Sequence, residues 1–419
     1  MTPLTSKVSF VEFVTLMGMM TAMTALSIDA ALPALGEIGH ALHIADSNDN
    51  QLIISLLFAG MAIGQIFYGP LSDSIGRKNS IYIGFAFYLI GCLFSIFSTD
   101  ITTMLVGRFL QGLGAAGPRI VTMALIRDRY EGREMARVMS FIMSVFIFVP
   151  AVAPAFGEAI LYFWEWEAIF VSFLLIALLS LVWFALRQEE TLPRKAWAPF
   201  SLLHIYKGAK ETCLNRTAFG YTIATGIIFG AFLGYLSSAQ QIFQDAYRTG
   251  EAFALYFGLL AVAIGLASFL NAKLVMRYGM RRISGYALNT IAALSALFFL
   301  YAFAFNGLPP FYSFMLYGVI TFFCLGLLFG NLNAMAMEPL GHIAGVGAAV
   351  VGSFSTFISV PIGVLIGRLY EGTILPLVAG FAILSLIAGA VFRYASVAVL
   401  HPVEIDSEAV LEEKTGGEI

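Results

Sequence analysis

Apolar runs of membrane-crossing length are the feature of this sequence that most constrains its fold. An α-helix needs about 20 apolar residues to cross the hydrocarbon core of a bilayer, whereas a barrel strand needs about 10 in alternation. We count twelve runs of the helical length, over residues 10–35, 50–72, 79–98, 101–126, 138–160, 167–186, 217–243, 252–276, 283–305, 310–335, 344–370 and 374–398. The first run is expected to remain as a span, since eleven others follow it. The sequence therefore predicts an all-α integral membrane protein.

The composition agrees with a lipid environment and excludes several classes of protein. Hydrophobic residues make up 59% of the 419 residues and charged residues only 12%, about half the charged fraction of a soluble domain. The net charge of −3 offers no surface for a polyanion, and the three cysteines form no metal-ligand or disulfide pattern. A soluble enzyme, a nucleic-acid binder and a disordered protein are excluded. We expect no metal site and no cofactor.

The distribution of Lys and Arg predicts the orientation. Cytoplasmic segments of membrane proteins carry an excess of these residues. With the N-terminus inside, nineteen of them, from Lys7 to Lys414, fall in inner segments, and only Arg248 and Arg368 fall in outer ones. Both termini are therefore expected in the cytoplasm.

The most polar interior segment, residues 187–216, separates six apolar runs from six others. We predict an N-terminal bundle over 1–186, a cytoplasmic linker over 187–216 with an amphipathic helix near 202–209, a C-terminal bundle over 217–398 and an acidic tail over 399–419. Two short strings recur at nearly the same offset: AIG at 62–64 and 263–265, and a Gly followed by basic residues at 76–78 and 279–282. Such parallel six-span repeats place a ligand site between the two halves.

The loop after the second run contains a candidate latch. Residues 69–78 read GPLSDSIGRK. A simple inner turn explains Arg77 and Lys78 but not Asp73 between two glycines. Gly69 and Gly76 permit close backbone approach, and Asp73 can pair with a cation or a helix N-terminus. The string resembles the GxLaDrxGrk signature of the major facilitator superfamily, which implies two pseudo-symmetric six-helix bundles.

Other strings narrow the resemblance. They are LVGRFLQGLG at 105–114, PAVAPAFG at 150–157, IDAALP at 28–33, RDRYEGRE at 127–134 and WEAIF at 166–170. Together they are similar to the bicyclomycin-resistance (Bcr/CflA) type of drug:proton antiporter, most closely over 25–175. The resemblance implies a monomer in a bacterial inner membrane that exports small amphipathic compounds in exchange for protons.

The same resemblance assigns Pro150, Pro154 and Gly157 to the antiporter motif of the fifth span. Two positions depart from the family pattern. Glu158 stands where a second glycine is usual, and residues 21–23, Thr-Ala-Met, lack an acid that some members carry.

Asp29 and Arg108 are ionisable residues within predicted spans, where a charge costs at least about 2.5 kcal/mol and is by default functional. Removal from water favours the neutral form of a carboxyl group, so Asp29 is a candidate proton carrier. The alternative is that Asp29 is an interfacial carboxylate whose side chain reaches water. Arg108 stays charged. It is either a structural hydrogen-bonding centre or, as the resemblance implies, part of the proton-coupling machinery.

Arg119 follows Arg108 by eleven residues, which places both on one helix face about 16 Å apart. Gly112 and Ala115 lie between them and are small enough to leave space, so this face is expected to line a cavity, unless Arg119 reaches the cytoplasmic interface. Two cations there favour an anionic or zwitterionic substrate, or one rich in carbonyl groups. Other polar residues could either line this cavity or join helices by hydrogen bonds. They are Gln111, Gln240, Gln241, Asn331 and Asn333.

These patterns predict proton-driven export by alternating access, with Asp29 and Arg108 in proton coupling. The main alternative is proton-coupled import or export of a specific metabolite on the same fold. An enzyme and a primary pump are disfavoured, because GxSxG, HExxH and GxxxxGK[ST] are absent. A channel remains an open alternative, although no filter-like repeat occurs.

Overall fold

Helices account for the fold of residues 9–400, the part of the chain that the computed structural model describes. Lys7, Lys414 and the predicted tail beyond residue 400 lie outside it. The helices are α1 (Phe10–Asp29), α2 (Leu35–Ala41), α3 (Leu52–Ile75), α4 (Arg77–Ile96), α5 (Ile101–Arg129), α6 (Gly132–Leu161), α7 (Glu167–Arg187), α8 (Leu202–Leu214), α9 (Arg216–Gln240), α10 (Phe253–Tyr278), α11 (Met280–Ala304), α12 (Phe311–Met337), α13 (Ala344–Arg368) and α14 (Leu375–Leu400).

Each predicted apolar run coincides with one long helix. In the described part, ten helical segments are long and apolar enough to cross a membrane, and the longest, Phe311–Arg368, contains both α12 and α13. The apolar stretch Phe148–Leu161 lies in α6. The first run differs from its prediction, because α1 ends at Asp29 and a short 3-10 helix, Leu32–Ala34, with a proline follows. Asp29 is therefore the last residue of its helix.

Local chemistry sets several helix ends. Gly76, at φ +92°, ends α3 immediately before α4, and Gly279, at φ +77°, joins α10 to α11 in the same way. Only glycine adopts such backbone angles at no steric cost, so the recurring string marks equivalent corners. Asp100 caps α5 by accepting from the Thr103 amide at 3.0 Å, and its hydrogen bonds with Thr103 lower the pKa of Asp100.

The long helices pack as two groups joined by the linker helix α8. In the first group, α5 packs on α3 and α4, and α1 packs on α6. In the second, α9 packs on α13 and α14, and α12 packs on α10 and α11. Between the groups, α3 packs on α13 and α6 packs on α10. The helix order thus gives two bundles with a shared interface, while the exact domain limits remain a prediction.

The interface between the groups is closed at one end and contains a cavity at the other. We call the end where residues 188–201 and α8 lie the linker end. At the opposite end Gln51 donates to the Gly367 carbonyl at 3.2 Å, and midway Ser353 donates to the Ala62 carbonyl at 2.6 Å. Towards the linker end a cavity of about 620 Å³ lies between the end of α3 and the start of α13, and linker residues form part of its lining. The linker end of the interface therefore contains a cavity, whereas the opposite end is closed.

Candidate functional site

Asp29 lies inside the protein at the contact between the two groups. It is 4% exposed, and its carboxylate is close enough to Tyr235 of α9 to act on it electrostatically. The Tyr235 hydroxyl is buried and has no hydrogen-bond partner among the described residues. Within residues 9–400 no ion pair within 4.0 Å involves Asp29. The site thus contains a buried acid from one group and, within its electrostatic range, an unsatisfied hydroxyl from the other group.

The antiporter motif packs directly behind this acid. A Cβ atom on Gly157 would lie 2.1 Å from the carbonyl oxygen of Ala30, so only glycine lets α6 approach so closely. Pro154 is buried and Pro150 is half-buried on the same helix. Glu158 reaches the second group and accepts from the Ala254 amide at 3.2 Å. The departure at Glu158 therefore adds a contact between α6 and α10.

Arg108 is fully buried and is held by oxygen atoms. Its guanidinium donates to the Ile53 carbonyl at 3.0 Å, the Gln111 side chain at 2.7 Å and the Ser27 carbonyl at 2.8 Å. It also stacks over Phe170, with 5.7 Å to the ring centroid. The geometry is that of a hydrogen-bonding centre joining α1, α3 and α5. Arg108 touches the chain two residues before Asp29 but forms no ion pair with it.

The face of α5 between the two arginines differs from the expectation of an open space. A Cβ atom on Gly112 would lie 1.9 Å from the Leu57 carbonyl oxygen, so the backbone of α3 fills this space. Ala115 is completely buried, and Gln111 donates to Ser95 at 3.1 Å. Arg119 is half-buried. Small residues on α5 serve helix packing, and Arg108 presents no charge to a cavity.

The polar candidates of the second group are separated. Gln241 lies at the closed end and bonds to Gln51 of the first group, whereas Gln240 donates to Gln244 of its own segment at 3.1 Å. Asn331 exchanges two amide hydrogen bonds with Asn271, at 2.9 and 3.0 Å, between α12 and α10. Asn333 is exposed. Asn331 therefore joins helices, and Gln241 joins the two groups.

Aromatic rings line the interface near Tyr235. Phe58 of α3 meets Phe229 of α9 across the groups, with ring centroids 5.6 Å apart. Phe232 lies against Phe329 at 5.6 Å, and Tyr235 against Phe322 at 4.6 Å. Phe229, Phe232 and Phe329 are half-buried. This aromatic surface offers apolar and π contacts at the interface between the two groups.

The latch loop forms its ion pairs within the first group. Arg77 pairs with Asp73 and donates to Asp128 of α5 at 3.0 Å. Gly69 and Asp73 line the linker-end cavity, opposite the start of α13. Lys78 donates to the Ala185 carbonyl at 3.3 Å. Gly76 provides the corner described above.

Glu190 caps this loop, a role that the sequence did not predict. Glu190 accepts from the backbone amides of Arg77 and Lys78, both at 3.0 Å, at the N-terminus of α4. An anion there is favoured by the helix dipole. The only signal in the sequence was a second acid, next to Glu189, in a polar linker. Tyr235, Asn48 and Gln51 were also missed, since polar residues near span ends are common.

Among the side chains that the structure describes, no group of three or more His, Cys, Asp or Glu is suited to hold a metal ion.

Comparison with known proteins identifies the family. Residues 9–364 match the Major Facilitator Superfamily. The Uncharacterized MFS-type transporter YdgK of Bacillus subtilis is 30% identical over 372 residues, which cover 87% of this chain and 90% of that protein. The Bicyclomycin resistance protein homolog of Haemophilus influenzae is 29% identical, covering 84% and 87%. The Multidrug resistance protein MdtL of Escherichia coli K12 is 27% identical, covering 78% and 80%.

Solved structures show the same fold. The peptide transporter POT in complex with sulfate matches with a TM-score of 0.73 and 14% identity, covering 94% of this chain and 96% of that one. The human organic anion transporter MFSD10 matches with a TM-score of 0.66 and 14% identity, covering 91% and 98%.

The chain belongs to the major facilitator superfamily. It is a multi-pass secondary transporter and not an enzyme. The resemblance seen in the sequence is confirmed at the level of this family, and the similarity to drug-resistance proteins is distant.

Proposed function

We propose that this transporter exports small amphipathic compounds across a bacterial inner membrane in exchange for protons. The observation that carries the proposal is the buried Asp29 carboxyl group, which lies where the two bundles meet and within electrostatic range of Tyr235. A buried carboxyl group without a paired cation favours its neutral form, so its protonation depends on which side of the membrane it faces. The printed names of two distant relatives, a bicyclomycin resistance homolog and a multidrug resistance protein, support a drug-like cargo.

In the proposed cycle, residues 1–186 rock against 217–398. Asp29 takes a proton from the outer side and releases it at the linker end, which we place in the cytoplasm. Arg108 positions α1 next to Asp29 through the Ser27 carbonyl, at 2.8 Å. Asp73, Gly76 and Arg77 act as the latch, with Gly69 and Lys78 beside them. The aromatic surface of Phe229, Phe232 and Phe329 holds the apolar part of the cargo.

Asp29→Asn is expected to abolish efflux driven by a pH gradient while dye binding persists, because the amide keeps the shape but cannot exchange a proton. The measurement uses purified protein in vesicles with an imposed pH gradient and matched cationic, anionic and neutral amphipathic dyes. Equilibrium dye binding is measured by fluorescence polarisation.

The matched control is Glu165→Gln, which neutralises an exposed acid in the loop before α7. This variant is expected to transport like the native protein. Native efflux rates in Asp29→Asn would remove Asp29 as the proton carrier. Accumulation of dye against the expected direction would instead support the metabolite importer considered above.

A further inference from the structure

Three amide side chains join the two bundles at the end opposite the linker. Asn48 and Gln51 lie in the short helical turn before α3, and Gln241 follows α9. Gln51 donates to the Gln241 side chain at 2.6 Å, and Gln241 donates to the Asn48 side chain at 3.0 Å. We call these three residues the amide clamp. They form a continuous chain of hydrogen bonds across the interface.

Backbone groups of the second bundle extend this chain. Gln51 also donates to the Gly367 carbonyl at 3.2 Å, and Asn48 donates to the Tyr370 carbonyl at 3.0 Å. The Tyr370 hydroxyl donates to the Gln241 carbonyl at 3.1 Å. Burial raises the pKa of Tyr370 to about 12, so the hydroxyl remains a donor at working pH. The clamp thus connects the start of α3 with the ends of α9 and α13.

The clamp is enclosed by close packing. Gln51 is 3% exposed and Gln241 is 4% exposed. A Cβ atom on Gly367 would lie 1.5 Å from Oε1 of Gln51, so only glycine leaves room for this side chain. Bulk water is therefore excluded from the two hydrogen bonds that Gln51 donates, whereas those of Asn48 and Tyr370 are part-buried.

The charges near the clamp lie outside it. Arg368 and Asp49 form an ion pair at 3.3 Å, with side chains 61% and 38% exposed. Exposed pairs contribute little because water and salt screen them. Other acids on this side are Asp46, which accepts from the Asn48 backbone amide at 2.9 Å, Asp245, which accepts from the Gln240 side chain at 3.4 Å, and the exposed Glu371. Closure therefore depends on the neutral amides more than on the charged rim.

One atom of the clamp is left unsatisfied. Oε1 of Gln51 is buried and has no hydrogen-bond partner among the described residues. A buried acceptor without a donor opposes the closed arrangement, since water would satisfy it on opening. The closed state is thus held by several hydrogen bonds and weakened by one orphaned oxygen, which suits a contact that must form and break repeatedly.

We propose that the amide clamp is the gate that closes the non-linker end of the transport pathway and opens once in each cycle. The inference rests on alternating access by the two bundles, which the family implies. The gate proposal does not depend on the cargo or on the direction of transport. It can therefore fail while the proton-export proposal stands, and the proton-export proposal can fail while the gate proposal stands.

The test measures the distance between spin labels on Ala45→Cys and Glu371→Cys, both exposed and on opposite bundles at this end. The three native cysteines are replaced by serine. Gln51→Leu and Gln241→Leu keep the side-chain volume but remove the hydrogen bonds. Each is expected to raise the population of long inter-label distances at least threefold in pulsed dipolar spectra of the protein in lipid nanodiscs.

Gly367→Ala provides an independent variant, because its methyl group displaces Gln51 without changing an amide. It is expected to shift the distances in the same direction. Arg368→Gln, which removes only the rim ion pair, is expected to leave them unchanged. Unshifted distances in the folded Gln51, Gln241 and Gly367 variants, or a shift in Arg368→Gln alone, would overturn the proposal.

Discussion

Arg108 illustrates how a permanent charge is accommodated inside the bundle. Its position in a predicted span marked it as important, but the sequence left open whether it binds structure or couples protons. The structure surrounds it with carbonyl and amide oxygens from α1, α3 and α5 and with the Phe170 ring. Hydrogen bonds to a charged group are stronger than those between neutral groups. These contacts support a role for Arg108 in positioning the helices.

Replacing Arg108 with leucine is expected to lower the free energy of unfolding by about 3 kcal/mol, because the variant loses several charge-assisted hydrogen bonds. Chemical unfolding of the purified protein in detergent measures this change. Arg282→Leu, at an exposed arginine, is expected to stay within about 0.5 kcal/mol of the native protein. Equal stabilities for the two variants would contradict the assigned role.

At the scale of helices, the close crossing of α3 and α5 depends on small residues from both sides. A Cβ atom on Gly60 would lie 2.1 Å from the Phe109 carbonyl oxygen, and one on Gly112 would lie 1.9 Å from that of Leu57. Small residues allow helices in membranes to approach until their backbones touch. The crossing in turn brings Ile53 within reach of Arg108. The close packing of α3 and α5 thus also encloses the charge of Arg108.

Gly112→Ala is expected to destabilise the protein by more than about 2 kcal/mol, because the added methyl group forces the backbones of α3 and α5 apart. The yield of monodisperse protein and its thermal unfolding midpoint measure the effect. Gly389→Ala in α14 is the control, since its Cβ position has no neighbour within 4 Å. That change is expected to be neutral or to stabilise by up to about 1 kcal/mol. The same loss in both variants would count against the packing argument.

The linker makes specific contacts with elements of both bundles. Glu190 caps α4, and the Ala198 amide donates to the Asp73 carbonyl at 3.0 Å. Further on, α8 packs against α13, where a Cβ atom on Gly208 would lie 2.4 Å from Val346. The linker is therefore anchored first to the latch loop and then to the second bundle.

At the scale of the whole molecule, the two ends of the interface differ in structure. One end is closed by the amide clamp and the other contains the cavity of about 620 Å³. Asp29 lies between the bundles beside Tyr235. This arrangement suits access from one side at a time. Which end faces the cytoplasm is a prediction from the distribution of Lys and Arg.

That orientation predicts opposite labelling of two single-cysteine variants. A membrane-impermeant maleimide added to intact cells is expected to label Glu371→Cys, and to label Lys195→Cys only after the cells are lysed. Both positions are exposed, at the non-linker end and in the linker respectively. A background without the native cysteines is the control. Labelling of Lys195→Cys in intact cells would reverse the assigned orientation.

The sequence by itself determined the helices and the family. The thickness of a bilayer sets the length of a span, so the composition and the run lengths indicated membrane-spanning helices, and the resemblance of the motifs indicated the family. The latch motif and the fifth-span motif each consist of consecutive residues, so both could be identified without a structure. Asp29 and Arg108 were identified because ionisable residues in lipid are rare.

Only the tertiary structure decided what these residues touch. Helical periodicity places Gly112 and Arg108 on one face, but it does not say whether water or another helix covers that face. Gln51 donates to Gln241, and Asp29 acts electrostatically on Tyr235, both across to the other bundle. Such contacts depend on how each helix is rotated and where the helices cross. Those quantities follow from the packing of all the helices together, so no local pattern contains them.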